Sequence, residues 1–95
     1  MSQLFATIKR LVAAENYVVG VHASERLEER GIMEWQAVSV LDDGELMVER
    51  PKAQPNPAIE VRQTLPDETD FKAVWSLLRQ SDVAKLVLVH FFNED

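Results

Sequence analysis

The spacing of apolar residues in this chain changes once, at Gly44. Before it, apolar side chains recur every three or four residues; after it, they alternate. A run of helices followed by a run of strands points to an α+β fold, with the helices packed on one face of an antiparallel sheet. Ninety-five residues suffice for one modest core, so residues 1–95 are read as a single domain. No internal repeat or low-complexity tract divides them. The expected architecture is two or three N-terminal helices on a sheet of three or four antiparallel strands.

In the helical half, Ser2 can cap a first helix whose apolar face carries Leu4, Phe5, Ile8, Leu11 and Val12. Glu15-Asn16 ends it, Asn being the residue that best tolerates a left-handed backbone after glycine. Tyr17 to Val19 reads as an extended link. A second helix is expected from about Val21 to Arg30, with Gly20 before it and Gly31 as the left-handed stop. A third places Trp35, Val38 and Leu41 on one side, and Gly44 stops it. Trp35 and Trp75 are both read as core residues.

In the alternating half, Glu45 to Arg50 and Ala58 to Thr64 read as strands, the second with Ile59, Val61 and Gln63 on one face. Pro51, Pro55 and Pro57 make the connection between them a stiff loop unfit for a central strand. Pro66-Asp67-Glu68 is a turn. Phe71 to Leu78 suits either a helix or a strand; its aromatic and β-branched content favours a strand. Arg79 to Asp82 then closes a hairpin. Lys85 to Phe92 is the clearest strand. Val87, Val89 and Phe91 form one of its faces and Leu86, Leu88, His90 and Phe92 the other. Both faces are apolar, and one layer of helices covers only one. The uncovered set would leave water by pairing with a second copy through the sheet, giving a homodimer, or by lying under the proline loop or the first helix.

Composition removes several function classes. Without cysteine, there is no disulfide scaffold, thiolate zinc site or cysteine nucleophile. Two histidines are too few for a zinc site of their own. Asp42, Asp43 and Glu45 match no calcium loop, and no phosphate-binding glycine loop or nucleophile elbow is present. No cofactor or metal is implied. Ten Lys and Arg against 16 Asp and Glu give a formal charge of −6, which disfavours RNA as a partner except at a local basic patch. No apolar stretch is long enough to cross a membrane as a helix. Lys9 and Arg10 interrupt the N-terminal apolar pattern where a signal peptide would be continuous, so a cytoplasmic protein is expected.

The stretch that stands out is His22-Ala-Ser-Glu-Arg26-Leu-Glu-Glu-Arg30-Gly31-Ile32. On a helix, His22, Arg26 and Arg30 fall on one line, with Glu25 and Glu29 on a parallel one. Two arginines four residues apart repel unless an anion lies over them. That anion is either a phosphate, gripped by the guanidinium forks, or a carboxylate of the protein itself: Glu25, Glu29, Glu45 or Glu60. His22 and His90 suit general acid–base chemistry. A lone histidine more often holds a structural position with its ring nitrogens satisfied locally.

At these residues the chain resembles a small bacterial family catalogued as domain of unknown function 4258. The family pattern is a His, an Arg four residues on, Arg-Gly-Ile four further, then a helix, a Gly-Glu and a strand. Here these are His22, Arg26, Arg30-Gly31-Ile32, Leu41 and Gly44-Glu45. Gly20 and Met33 stand where the family often has polar helix caps. The resemblance implies two helices followed by an antiparallel sheet, a layout similar to RelE-like and BrnT-like toxin ribonucleases. Two functions therefore compete. One is a module that binds a protein partner or regulates it. The other is a metal-independent ribonuclease with His22 and His90 as acid and base and Arg26 and Arg30 on the phosphate.

Overall fold

A computed structural model describes residues 2–92. Three helices, α1 (Gln3–Ala13), α2 (Val21–Glu29) and α3 (Glu34–Ser39), lie on one face of a five-stranded sheet. The strands are β1 (Tyr17–Val19), β2 (Glu45–Arg50), β3 (Ala58–Thr64), β4 (Asp70–Leu78) and β5 (Val83–Phe91), in the spatial order β1-β5-β4-β3-β2. The class is α+β. The sheet is mixed rather than antiparallel, and has five strands rather than three or four. The fifth is Tyr17–Val19, which is no mere link: it pairs in parallel with β5, Val18 lying opposite Lys85. Nothing local marks it as a strand, because three residues become one only when β5 arrives beside them.

Each helix end has a local cause. Ser2 Oγ accepts from the Phe5 amide at 3.0 Å and donates to the Glu49 carboxylate, tying the start of α1 to β2. Glu15, not Asn16, takes the left-handed conformation after α1, with φ 63°. The Asn16 amide then reaches the Leu11 carbonyl at 2.8 Å. α2 ends in a Schellman motif. Gly31 has φ +67°, its amide donates to Glu28 at 3.0 Å, and the Ile32 amide donates to Leu27 at 2.9 Å. A Cβ on Gly31 would meet nothing within 4 Å. Gly31→Ala should therefore cost only the left-handed penalty, about 1 kcal/mol, measured as a lowered urea midpoint with an unchanged slope.

α3 stops at Ser39, before Gly44 rather than because of it. Its buried residues are Ala37 and Val38, with Leu41 following in the turn. Trp35 is not in the core; it is 61% exposed. At 100° per residue it sits about 110° from the midpoint between Ala37 and Val38, outside the arc that six residues can bury.

Ile59, Val61, Gln63, Phe71, Ala73 and Trp75 all face the helices. The two Gln63 amide atoms are both used: Nε2 donates to the Ala37 carbonyl at 2.7 Å, and Oε1 accepts from Trp75 Nε1 at 2.9 Å. This joins α3, β3 and β4 through one satisfied polar side chain inside an apolar core.

β5 resolves the question of its two apolar faces. The pairing with β4 shifts from Val74–Leu88 to Trp75–Leu86, leaving Val87 as the extra residue of a bulge. The bulge switches the alternation. Ala84 and Leu86 are buried before it, and Val89 and Phe91 after it. Neither set expected from strict alternation exists as one face. The core takes residues from both, and the open face keeps Val87, Leu88, His90 and Phe92. The proline loop folds over one end of that face. Ser76 Oγ and the Leu77 amide both donate to the Pro57 carbonyl at 3.0 Å.

Candidate functional site

α2 places His22, Arg26 and Arg30 on one line, as the spacing requires, while Ala23 and Leu27 are buried against the sheet. The three polar side chains have different surroundings. His22 is exposed in the first turn. Arg26 Nη1 donates to Glu29 Oε1 at 2.9 Å, so Glu29 is one of its anions. The Arg30 guanidinium lies 4.3 Å from the centre of the Phe91 ring. Phe91 is buried and packs at 5.7 Å on Phe71. Arg30 thus caps an aromatic pair at the rim of the core.

Arg30 also faces the β3–β4 turn. Arg30, Gly31 and Ile32 line a hollow with Gln36, Leu65, Pro66 and Asp67. Asp67 is held below the usual carboxylate range, first by hydrogen bonds from Thr69 and in smaller part by the Arg30 charge. The Arg-Gly-Ile signature therefore does three structural tasks. Arg30 covers Phe91, Gly31 reverses the chain, and Ile32 packs on the core beside Leu27.

His90 is elsewhere. It alternates with the buried Val89 and Phe91, so it points to the face that the helices do not cover. The sheet separates it from α2 and from His22. Its neighbour is Phe92, edge-on at 6.2 Å. The structure therefore keeps the two arginines in line, Arg26 within α2 and Arg30 at its C-cap, with different partners, and sets the two histidines on opposite sides of the sheet. Among the described residues no group of three His, Asp or Glu side chains comes together to hold a metal.

The open face carries its own constellation; the sequence placed Leu88, His90 and Phe92 on one face of the last strand but did not join Arg62, Lys72, Glu60 and Asp70 to them. Leu88 (41% exposed), His90 and Phe92 (40% exposed) follow one another along the outer side of the β5 end. The Arg62 guanidinium lies 5.4 Å from the Phe92 ring centre and donates to Asp70 Oδ2 at 2.7 Å. Thr64 Oγ1 donates to the other Asp70 oxygen at 2.6 Å. One row further, Glu60 accepts from Arg50 Nη2 at 2.8 Å and meets Lys72 Nζ at 3.6 Å. On this face Arg50, Arg62, Lys72 and Lys85 stand against Glu45, Glu60 and Asp70. It has one cation in excess, on a chain whose formal charge is −6. The clue available in the sequence was the alternation of Arg62 with Val61 and Gln63.

These pairs have a pH signature. Arg50 above all, opposed by partial burial and helped by Lys72, lowers the pKa of Glu60; Arg62 and then Thr64 do the same for Asp70. A carboxylate with a depressed folded-state value stabilises the fold fully above its unfolded value, about 4.3 for Glu and 3.9 for Asp. That contribution disappears as pH falls through the folded-state values. The urea midpoint should hold from pH 7 to about 5 and fall below about 4. Glu60→Gln and Asp70→Asn should flatten that fall, and salt should reduce their effect at pH 7 because the pairs face water.

The chain matches the family described as Domain of unknown function (DUF4258) over residues 20–90, and it belongs to that family. No curated protein matches it, and no solved structure does. The match begins at the cap of α2 and spans the His22–Ile32 signature, the proline loop and the three antiparallel pairings. No helix among the described residues is long and apolar enough to cross a membrane.

Proposed function

We propose that this member of the DUF4258 family is a non-catalytic protein-binding module whose open sheet face receives the partner. The observation that carries this reading is the line Leu88, His90 and Phe92. These side chains stand exposed on a face with no helix over it, beside arginine and lysine side chains held in place by Glu60 and Asp70. Exposed apolar and aromatic side chains ringed by fixed charges are the composition of a contact surface. Its surplus cation selects a protein segment that brings apolar side chains to Leu88 and Phe92 and carboxylates to Arg62 and Lys72.

The α2 signature supports the same reading from the other side. Arg26 has Glu29 as a partner and Arg30 rests on Phe91, so both serve the fold. A ribonuclease using His22 with His90 needs both imidazoles within reach of one phosphate, and the sheet stands between them.

The test is site-specific photo-crosslinking in the native host, with the crosslinker at Leu88 and, as a control, at Glu28 on α2. A single adduct of defined mass is expected from Leu88, lost on Phe92→Glu or Arg62→Glu and retained in His22→Ala. His22→Ala should keep its stability within about 0.5 kcal/mol, being an exposed surface change. Equal trapping at both positions would defeat the proposal. So would metal-independent RNA cleavage by the purified protein that His22→Ala abolishes.

A further inference from the structure

Trp35 is the most exposed aromatic residue among the described residues, at 61%. One turn further along α3, Val38 and Ser39 line a hollow of about 310 Å³ between α3 and the last turns of α1. Its other walls are Lys9, Val12, Ala13, Leu41 and Asp42. Residues three and four apart share a side of a helix, so the indole and the hollow are neighbours on one surface. That surface is separate from the open face of the sheet.

The lining of the hollow suits an indole. Val12, Ala13, Val38 and Leu41 offer apolar walls for a flat ring. The Lys9 ammonium already lies over an aromatic ring, 4.5 Å from the centre of Phe5, so a second ring at the mouth would meet the same cation. Asp42 supplies the acceptor that a buried indole N–H requires. Ser39, whose Oγ donates to the Gln36 carbonyl at 2.9 Å, adds a hydroxyl to the lining. A knob and a hollow of matching chemistry, side by side on one surface, meet reciprocally across a twofold axis.

We propose that the chain pairs with a second copy of itself by placing Trp35 of each copy in the α1/α3 hollow of the other. The pairing does not depend on the function assigned to the sheet face. It differs from a sheet-mediated dimer in which residues it buries, and that difference is measurable.

The two tryptophans make the test direct. Trp75 is fully buried, with its N–H bonded to Gln63, so quenching of fluorescence by acrylamide in the monomer reads Trp35 alone. Sedimentation equilibrium and acrylamide quenching are followed from about 10 to about 500 μM. The weight-average mass should rise from 10.8 kDa towards twice that value, while Trp35 loses most of its access to quencher over the same range. Trp35→Ala and Ala13→Glu, both at exposed positions, should each stay monomeric. In the Trp35→Ala protein the vacant hollow should take N-acetyltryptophanamide, shifting the methyl resonances of Val12, Val38 and Leu41 and leaving those of Val74 and Leu88 in place. A wild-type chain that stays at 10.8 kDa throughout would overturn the proposal. So would a dimer that survives both substitutions, which Phe92→Glu would then assign to the sheet, or a hollow whose methyl groups ignore the probe.

Discussion

Trp75→Ala is expected to bring the fold close to its limit. The side chain is fully buried between the helices and β3, and removing it leaves a cavity costing about 3–5 kcal/mol. It also strips Gln63 Oε1 of its donor, which adds about 1–3 kcal/mol for an orphaned acceptor in the core. A domain of this size has about 5–14 kcal/mol in all. At 4–8 °C per kcal/mol, the melting midpoint by circular dichroism should drop by at least about 15 °C. Trp75→Phe should fall between the two, because it restores most of the volume and leaves Gln63 short of one bond. Trp35→Ala, on the other tryptophan, should move the monomer's midpoint very little. Similar losses at both positions would contradict the burial that separates them.

Gly44→Ala should have the second largest effect, for a reason opposite to that at Gly31. A Cβ at Gly44 would lie 2.5 Å from Val61 Cγ1, 3.0 Å from the Leu41 carbonyl oxygen and 3.3 Å from that of Arg62. Two of these neighbours are backbone, and Val61 is itself fully buried, so none has room to retreat. Overpacking of this kind costs about 1–3 kcal/mol, and the upper half is expected where backbone must move. The strain pushes β2 away from β3, so hydrogen-exchange protection should fall first at Leu46 and Val48, opposite Val61 and Glu60. At Gly31 the same substitution meets open space and the midpoint should shift less than half as far. Equal effects at the two glycines would mean that Gly44 marks a turn and not a contact.

The two glycines show where sequence reading reached its limit. Gly31 was legible because a helix stop is local: its left-handed backbone closes a motif confined to residues 27–32. Gly44 also looked like a helix stop, and its actual role depends on Val61, a residue of β3. The same division runs through the rest of the chain. The strands Glu45–Arg50 and Ala58–Thr64 and the proline loop followed from alternation and turn residues, and the strand at residues 71–78 from its aromatic and β-branched content. The Arg-Gly-Ile signature was visible too, but Phe91 at the far end of the chain decided that Arg30 would cover an aromatic ring.

By itself, then, the sequence determined what short-range physics determines: the helix and strand periods, the stop of α2 at Gly31, the α+β class, and the charge and missing thiols that limit the chemistry. The tertiary structure decided what depends on distant partners. It made Tyr17–Val19 a strand by setting β5 beside it. It inserted one residue, Val87, into the pairing of β5, so that the core draws on both apolar faces of that strand. It left Trp35 in water because six residues of helix bury too narrow an arc, and it parted His22 from His90 by a sheet. Each of these is set by contacts between segments far apart in the chain, and a local pattern carries no record of them.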